Sequence, residues 1–552
     1  MSELQIYNLD HLGLVAGIID EMGLVEEINQ YLGEDPNEKV SSGVVVKAMI
    51  LNGLGILSAP LYLFSRFFEG KPTEHLLGAG VVPEYLNDDR LGRSLDDLWD
   101  KGLSFLFLRV ALRAVKVFGV EVKQVHLDST SFAVEGEYAV PLMGITAGET
   151  QAGEEQADQE SGVQPIHIRR GYSRDHRPDL KQFVMNLICS GDGGIPLFLA
   201  MADGNQVDSQ VFGGLMREFG EQWKFDGVHV ADAAFYTSDN LIQMGTLQWV
   251  SRVPLTIGSA SRLLDEIAPE SFFASAITGY ELSMVCNSYA EVNQHWVVVR
   301  SQARQDKDLQ RLEAKLQKAQ QQAQSDLQSL QKQEFNCPVL AQTAVQHLND
   351  KLLYHQLIEI QTVDKPHYGK SGRPVKGAQP THFTYQVRAS LQQDTAVVEQ
   401  QKRRAGCFIL ATPVLEDKPE LSADEILRHD KDQQYPERGF RFCKDPMFFA
   451  DSVFLKNPRR IEALSFIMGL CLLVYSLGQR YLRQALTQAE TTLPNQLGKP
   501  TARPTLRWIF QCFQAVHLLV IKSVPQVVNL NPERLRILQF FPKPCLSYYL
   551  LC

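Results

Sequence analysis

The sequence lacks the cysteine patterns that indicate a disulfide scaffold or a zinc site. Its nine cysteines are scattered over 552 residues, with no C-x-x-C pair and no Cys/His cluster at zinc spacing. No signal peptide is recognisable either. We therefore expect free thiols and a cytoplasmic location, where thiols stay reduced.

Long hydrophobic runs are also missing. The most apolar stretch, residues 463–478, is shorter than the roughly 20 residues that span a bilayer. Arginines flank it on both sides, at Arg459, Arg460, Arg480 and Arg483. We interpret this stretch as a buried helix and expect no membrane partner.

Positive charge is in deficit. The formal net charge is −10, which argues against a protein that coats nucleic acid nonspecifically, because such binding needs clustered Lys and Arg. A local basic groove is compatible with that balance. The chain length and an ordinary share of apolar residues, 44%, predict several folded domains.

Short β-rich runs begin near residue 119 and alternate with helical ones. The predicted order is β-β-β-α-β-α-β, over residues 120–128, 182–190, 196–202, 207–223, 227–231, 238–247 and 249–253. This is the order of the ribonuclease-H-like fold, which has a mixed five-stranded sheet with helices. The first and fourth strands of that sheet are neighbours. Asp128 and Asp232, which end those two predicted strands, should then also be neighbours.

The other regions of the chain differ from this one in composition and in the spacing of their apolar residues. Residues 1–118 have helical spacing, with Ser41 and Ser42 as candidate caps; such a domain could bind DNA or serve folding and dimerisation. Residues 304–353 predict a helical hairpin that packs on itself or forms a coiled-coil contact between subunits. A basic loop follows at 364–380, where Arg373 could enter a DNA minor groove or lie in a solvated hairpin.

Three acidic residues carry the predicted chemistry. Asp128 in HLDSTS and Asp232 in VADAAF each follow an apolar run, although each alone could be a helix-capping loop residue. In YPERGFRFCKDP, Glu437 shares one helix face with positions 441 and 444, although a surface ion-pair helix would look the same. Carboxylates suit Mg²⁺, and two divalent ions about 4 Å apart serve phosphodiester cleavage.

Basic residues accompany these acids, in a loop between the two aspartates and around the glutamate. Charge-assisted bonds to phosphates are their natural use, and a solvated basic loop is the alternative. The predicted DNA-binding residues are Arg169, Arg170, Arg174, Arg177, Lys181, Arg373, Arg438, Arg441 and Lys444.

The segments HLDSTSF, GYSRDHRPDLKQF, VADAAFYT and PERGFRFCKDP, with a large insertion before the last, resemble the DDE transposases of bacterial insertion sequences. The resemblance implies that Asp128, Asp232 and Glu437 form a catalytic triad that binds two Mg²⁺ or Mn²⁺ ions. It also implies double-stranded DNA as partner, at the terminal inverted repeats of the transposon ends and at a target. A homodimer or larger synaptic multimer would then cleave and join strands.

Two positions depart from the family's related signature. That signature has a tyrosine seven residues and an arginine four residues before the glutamate, where this chain has Asp430 and Gln433. A non-catalytic DNA-binding remnant of a transposase therefore stays open. A ribonuclease-H-like nuclease that cuts without joining would use the same three carboxylates. A third alternative is a helical scaffold protein, in which the joint occurrence of these motifs would be a coincidence.

The predicted architecture is α/β, with a ribonuclease-H-like catalytic core interrupted by an α+β insertion. The core occupies residues 119–255 and 421–485, and the insertion occupies residues 256–420. A helical N-terminal domain, 1–118, and a helical C-terminal region, 486–552, flank it.

Overall fold

A computed structural model of the chain describes residues 4–55, 63–134, 164–174, 177–369, 379–445 and 456–551. The chain divides into two compact bodies. The first comprises residues 1–251, 289–292 and 428–552, and the second comprises residues 252–288 and 293–427.

In its described residues, the N-terminal part of the first body is helical apart from one short strand. Gly23, at φ 65°, separates the first two helices, and the Ser41 hydroxyl caps the third helix by accepting from the Val44 N–H. The elements are β1 (Leu4–Asn8), α1 (Leu12–Met22), α2 (Leu24–Leu32), α3 (Ser42–Leu54), α4 (Phe64–Phe67), α5 (Thr73–Leu77), α6 (Asp88–Asp100) and α7 (Leu103–Val117).

Five strands follow that lie side by side in the spatial order β4-β3-β2-β5-β6, within a mixed sheet of nine strands rather than the predicted five. Strand β2, the middle one of these five, runs antiparallel to β3 and parallel to β5, and β5 runs parallel to β6. The predicted order, with the first and fourth core strands side by side, is confirmed. The elements are β2 (Gln124–Val134), β3 (Lys181–Ser190), β4 (Pro196–Ala202), α8 (Asp208–Trp223), β5 (Val228–Ala231), α9 (Ser238–Met244) and β6 (Trp249–Arg252).

The second body mixes helices and antiparallel strands. The predicted helical pair is present, and its buried side chains, among them Leu327 and Val345, pack with Leu357 and Val387 of a β-hairpin. The elements are α10 (Gly258–Glu266), β7 (Phe273–Ala274), β8 (Tyr280–Tyr289), β9 (Val292–Ser301), α11 (Gln302–Lys332), α12 (Pro338–Lys351), β10 (His355–His367), β11 (His382–Gln393), α13 (Thr395–Arg404) and β12 (Cys407–Pro413).

The last part of the chain contains a long apolar helix, α16. Among the described helices it alone is long and apolar enough to cross a membrane, and 83% of its most apolar window is buried inside the protein, as a core helix would be. The elements are α14 (Ala423–Asp432), α15 (Gln434–Cys443), α16 (Pro458–Gln488), β13 (Leu493–Pro494), β14 (Pro500–Thr501), α17 (Leu506–Cys512), β15 (His517–Ile521), β16 (Val524–Val528), α18 (Pro532–Leu538) and α19 (Lys543–Leu550).

The prediction of a helical C-terminal region is incomplete, because four short strands also lie there. Strand β15 pairs with β1 from the other end of the chain, which local sequence patterns could not indicate. Helix α19 packs on α1 so closely that a Cβ on Gly17 would lie 2.4 Å from the Cys545 backbone. The two ends of the chain therefore share one core.

Candidate active site

Asp128 and Asp232 lie next to each other on the central sheet. Leu127 of β2 pairs with Ala231 of β5 in the parallel ladder. Asp128 and Asp232 are the residues that directly follow these two in the sequence. The prediction that Asp128 ends its strand is wrong, since β2 continues to Val134. The parallel partner β5 does end just before its aspartate. The two carboxylates therefore lie next to each other at the point where the pairing of β2 with β5 stops.

Helix α15 brings Glu437 to the same place through an anchor just before the helix. The Gln433 amide donates to the Leu127 carbonyl at 2.8 Å, and its oxygen accepts from His126 Nδ1 at 3.1 Å. Asp128 lies two residues, about 6.6 Å, beyond His126 on the same strand face. Glu437 lies four residues, about 6 Å, beyond Gln433 on the same helix face, and its charge acts on the Asp128 carboxyl group.

A glycine lets this helix sit tightly against its neighbours. A Cβ on Gly439 would lie 3.0 Å from Leu472 of α16 and 3.4 Å from Leu187 of β3. Leu187 is the antiparallel partner of Asp128. Phe440 and Cys443 of the same helix are buried, while Glu437 itself is exposed. The packing thus orients the helix with its glutamate outside the core.

The two positions that depart from the family signature have structural roles here. Asp430 is buried, and Gln433 ties the helix to β2 as described. Gln124 adds two more attachments to β2, donating to Asp432 at 2.8 Å and bonding the His429 ring. The segment before Glu437 is therefore held by side-chain hydrogen bonds to the strand that carries Asp128.

The electrostatics of Asp128 reflect this crowding. The pKa of its carboxyl group is raised to about 7, chiefly by burial and in smaller part by the neighbouring carboxylates of Asp232 and Glu437, while the Ser129 N–H and Arg174 act to lower it. The Ser129 N–H donates to the Asp128 carboxylate at 2.8 Å. Both other predicted acids thus act on Asp128 through their charge.

Arg174 is the residue of the predicted basic loop that reaches this site. Its guanidinium lies 3.9 Å from the Asp128 carboxylate, donates to the Ser129 hydroxyl at 2.8 Å and pairs with Asp208. Asp208, the first residue of α8, also accepts from Ser129 at 2.5 Å. The sequence analysis missed Ser129 and Asp208, although an acid at the start of a predicted helix was a usable signal.

Two further arginines of this loop pair with aspartates other than Asp128 and Asp208. Arg169 pairs with Asp203 at 3.2 Å, Arg177 pairs with Asp179 at 2.9 Å, and Arg170 is exposed. Lys181 is the first residue of β3. Arg373 of the second body falls outside the residues that the structure describes.

Three basic residues follow Glu437. Arg438 and Arg441 are exposed on α15, and Arg438 donates to Gln434 at 2.6 Å. The prediction that Lys444 lies on the helix with them is wrong by one residue, because α15 ends at Cys443. The Lys444 ammonium lies 5.3 Å from the centre of the Phe132 ring on β2. The Lys444 side chain therefore lies against the strand that carries Asp128.

The three carboxylates fit a divalent cation in chemistry and in charge. Hard oxygen ligands suit Mg²⁺, and a carboxyl group whose pKa is raised by two like charges is stabilised by a nearby cation. Among the described residues, however, no three His, Cys, Asp or Glu side chains stand close enough together to be a ready ligand set. In their present placement the three acids are therefore not a ready metal site.

Comparison with known proteins finds similarity both in sequence and in structure. Residues 4–112 match a domain of unknown function, DUF4277. By structure, the chain is similar to a piggyBac transposase seen by cryo-electron microscopy in a synaptic complex with hairpin DNA, at 8% sequence identity and a TM-score of 0.35, over 92% of this chain and 79% of that one. No functionally characterised protein matches by sequence.

Proposed function

We propose that the protein is a DDE-type transposase of a bacterial insertion sequence. It would bind the terminal inverted repeats of the element, cleave the DNA and join the ends to a target. The observation that supports the proposal is that Asp128 and Asp232 follow paired residues of β2 and β5, with Glu437 near enough to act on the Asp128 carboxyl group through its charge.

The residues of the site have distinct tasks in this proposal. Asp128, Asp232 and Glu437 would hold two Mg²⁺ or Mn²⁺ ions, which supply activation of the attacking oxygen and stabilisation of the leaving oxygen. Arg174 and Asp208 orient Ser129, whose N–H in turn fixes one oxygen of Asp128. Gln433 positions the helix that carries Glu437.

The DNA on either side of the natural coding sequence supplies the test substrate, because an insertion sequence ends there. We expect purified protein with Mg²⁺ or Mn²⁺ to cleave this DNA at defined positions and to join the released ends to a supercoiled plasmid. Asp128→Asn, Asp232→Asn and Glu437→Gln should each abolish both reactions. Asp239→Asn, an exposed acid in the first turn of α9, is the matched control and should retain them.

Each alternative gives a different result in the same assay. Cleavage without joining, lost in the three variants, would identify a nuclease rather than a transposase. Sequence-specific binding of the flanking DNA without cleavage under any metal would identify a non-catalytic remnant. Cleavage that survives Asp128→Asn would contradict the assignment of the triad.

A further inference from the structure

A polar groove lies behind the helix that carries Glu437. It has a volume of about 890 Å³ and runs between α15 and the C-terminal half of α16. The turn between β3 and β4 and the segment before α17 close its sides. Four arginines line it, Arg438, Arg480, Arg483 and Arg503.

Two of these arginines build the walls of the groove. Arg480 is buried; it donates to the Phe118 and Gly119 carbonyls at 3.0 Å and pairs with Asp192. Gly193, at φ 84°, packs against it so closely that a Cβ would lie 2.8 Å from the arginine side chain. Arg483 donates to the Pro504 carbonyl at 2.9 Å. The groove is thus formed before any ligand arrives.

The charge of the groove is opposite to that of the whole chain. Its four arginines outnumber its two acids among the described lining residues, against a net charge of −10 overall. Both acids are engaged, Asp192 with Arg480 and Asp432 as acceptor from Gln124. Arg438 and Arg503 are exposed. Side-chain amides supply further donors, from Gln434, Gln479, Gln484 and Gln488.

The dimensions of the groove suit a length of nucleic-acid backbone. Its lining on α16 extends from Leu472 to Gln488, which is about 24 Å of helix and corresponds to roughly seven base pairs at 3.4 Å each. Guanidinium groups and amides are the donors that proteins use for phosphate oxygens. Arg438 directly follows Glu437, so the helix that lines the groove is also the one that carries the predicted catalytic glutamate.

We propose that this groove binds the sugar–phosphate backbone of the DNA duplex on which the three acids act. The inference rests on the proposed function for the identity of the polymer and adds the path that it takes across the first body. Arg438 and Arg503 contact phosphates directly, and Arg480 and Arg483 hold the walls in place. Because the contacts are to phosphates, binding in the groove is independent of base sequence.

The test measures binding of a short fluorescent duplex of arbitrary sequence by anisotropy, in EDTA, over a series of KCl concentrations. Each phosphate contact contributes about 0.9 to the slope of log Kd against log salt concentration. We expect the Arg438→Gln/Arg503→Gln variant to lose about 1–2 from that slope and to bind at least about tenfold more weakly at low salt. The control, Arg217→Gln/Arg311→Gln, removes two exposed arginines elsewhere and should change neither.

A second variant guards against loss of folding. Gln484→Glu/Gln488→Glu places negative charge on two exposed groove positions without removing an arginine, and it should weaken binding in the same assay. An unchanged slope and Kd in both groove variants would overturn the proposal, as would equal losses in the control. If the wild type fails to cleave its flanking DNA but the groove variants still lose binding, the groove stands and the transposase proposal falls.

Discussion

Asp128 is a carboxyl group that the fold disfavours in its charged form. Burial and the neighbouring carboxylates raise its pKa to about 7, from an unfolded value near 3.9. The folded protein therefore binds more protons than the unfolded chain between about pH 4 and pH 7, so this group reduces the free energy of unfolding as pH rises through that window. A bound divalent cation would offset the loss.

The first prediction follows from this sign. In EDTA at pH 8, the free energy of unfolding of Asp128→Asn should exceed that of the wild type by about 1–3 kcal/mol. This difference should vanish near pH 4. Guanidinium denaturation at both pH values measures it, with Asp239→Asn as control. Addition of Mn²⁺ at pH 8 should stabilise the wild type and leave Asp128→Asn unchanged. A variant less stable than the wild type at both pH values would contradict the electrostatic account.

Gln433 is a positioning residue in this account, because it acts on Glu437 only through the helix. Burial lowers the pKa of His126 to about 4, so the ring is neutral and its Nδ1–H donates to the Gln433 oxygen. Gln433→Ala would leave that donor and the Leu127 carbonyl without this partner, and such a loss typically costs about 1–3 kcal/mol. We expect weaker Mn²⁺ binding in calorimetry as well as lower stability.

The neighbouring Gln434→Ala is the control for that change. Gln434 is exposed and bonds only its own helix, at Arg438, among the contacts described for it. Its loss should leave Mn²⁺ affinity unchanged. Equal Mn²⁺ affinity in Gln433→Ala and the wild type would show that the anchor does not place the glutamate.

At the scale of elements, the packing of α15 decides where Glu437 stands. Gly439→Val would push branched methyl groups into Leu472 and Leu187, whose side chains already lie 3.0 Å and 3.4 Å from an added Cβ. We expect a loss of about 1–3 kcal/mol from overpacking, together with loss of Mn²⁺ affinity and of DNA cleavage. Gly214→Val, on the exposed side of α8 with 3.7 Å to its nearest neighbour, should change only stability.

The strands and helices of this region could be predicted because strands and helices leave different patterns of apolar residues in the sequence. The runs at 182–190, 196–202 and 227–231 became β3, β4 and β5 nearly residue for residue, since the sheet buries continuous apolar runs. The extent of β2 beyond Asp128 could not be predicted, because Leu127 is the one apolar residue in His126–Ser131. Its polar residues are buried by partners distant in sequence, such as Arg174 and Gln433.

The adjacency of Asp128 and Asp232 could be predicted, whereas the side-chain hydrogen bonds around them could not. An acid after an apolar strand is a local signal, whereas the bonds of Gln433 to His126 and Leu127 join residues more than 300 positions apart. A single sequence contains no trace of such pairs. The same limit applies to β1 and β15, whose pairing joins the two ends of the chain.

At the scale of the whole molecule, the N-terminal helices depend on the last helix. Apolar residues of α1 are buried, and α19 covers them, with the Tyr549 hydroxyl donating to the Asp10 carbonyl at 2.7 Å. We expect the fragment 1–118, which contains the DUF4277 match, to lack a cooperative thermal transition by circular dichroism. The full chain should show one, and a sharp transition of the isolated fragment would contradict the shared core.

Anomalous diffraction from crystals of the protein with a short duplex and Mn²⁺ tests the central claim most directly. The account predicts manganese peaks among the carboxylate oxygens of Asp128, Asp232 and Glu437, and none there in crystals of Asp128→Asn. Peaks at other sites only, or a Glu437 carboxylate that faces solvent while manganese binds the two aspartates, would contradict the three-carboxylate site.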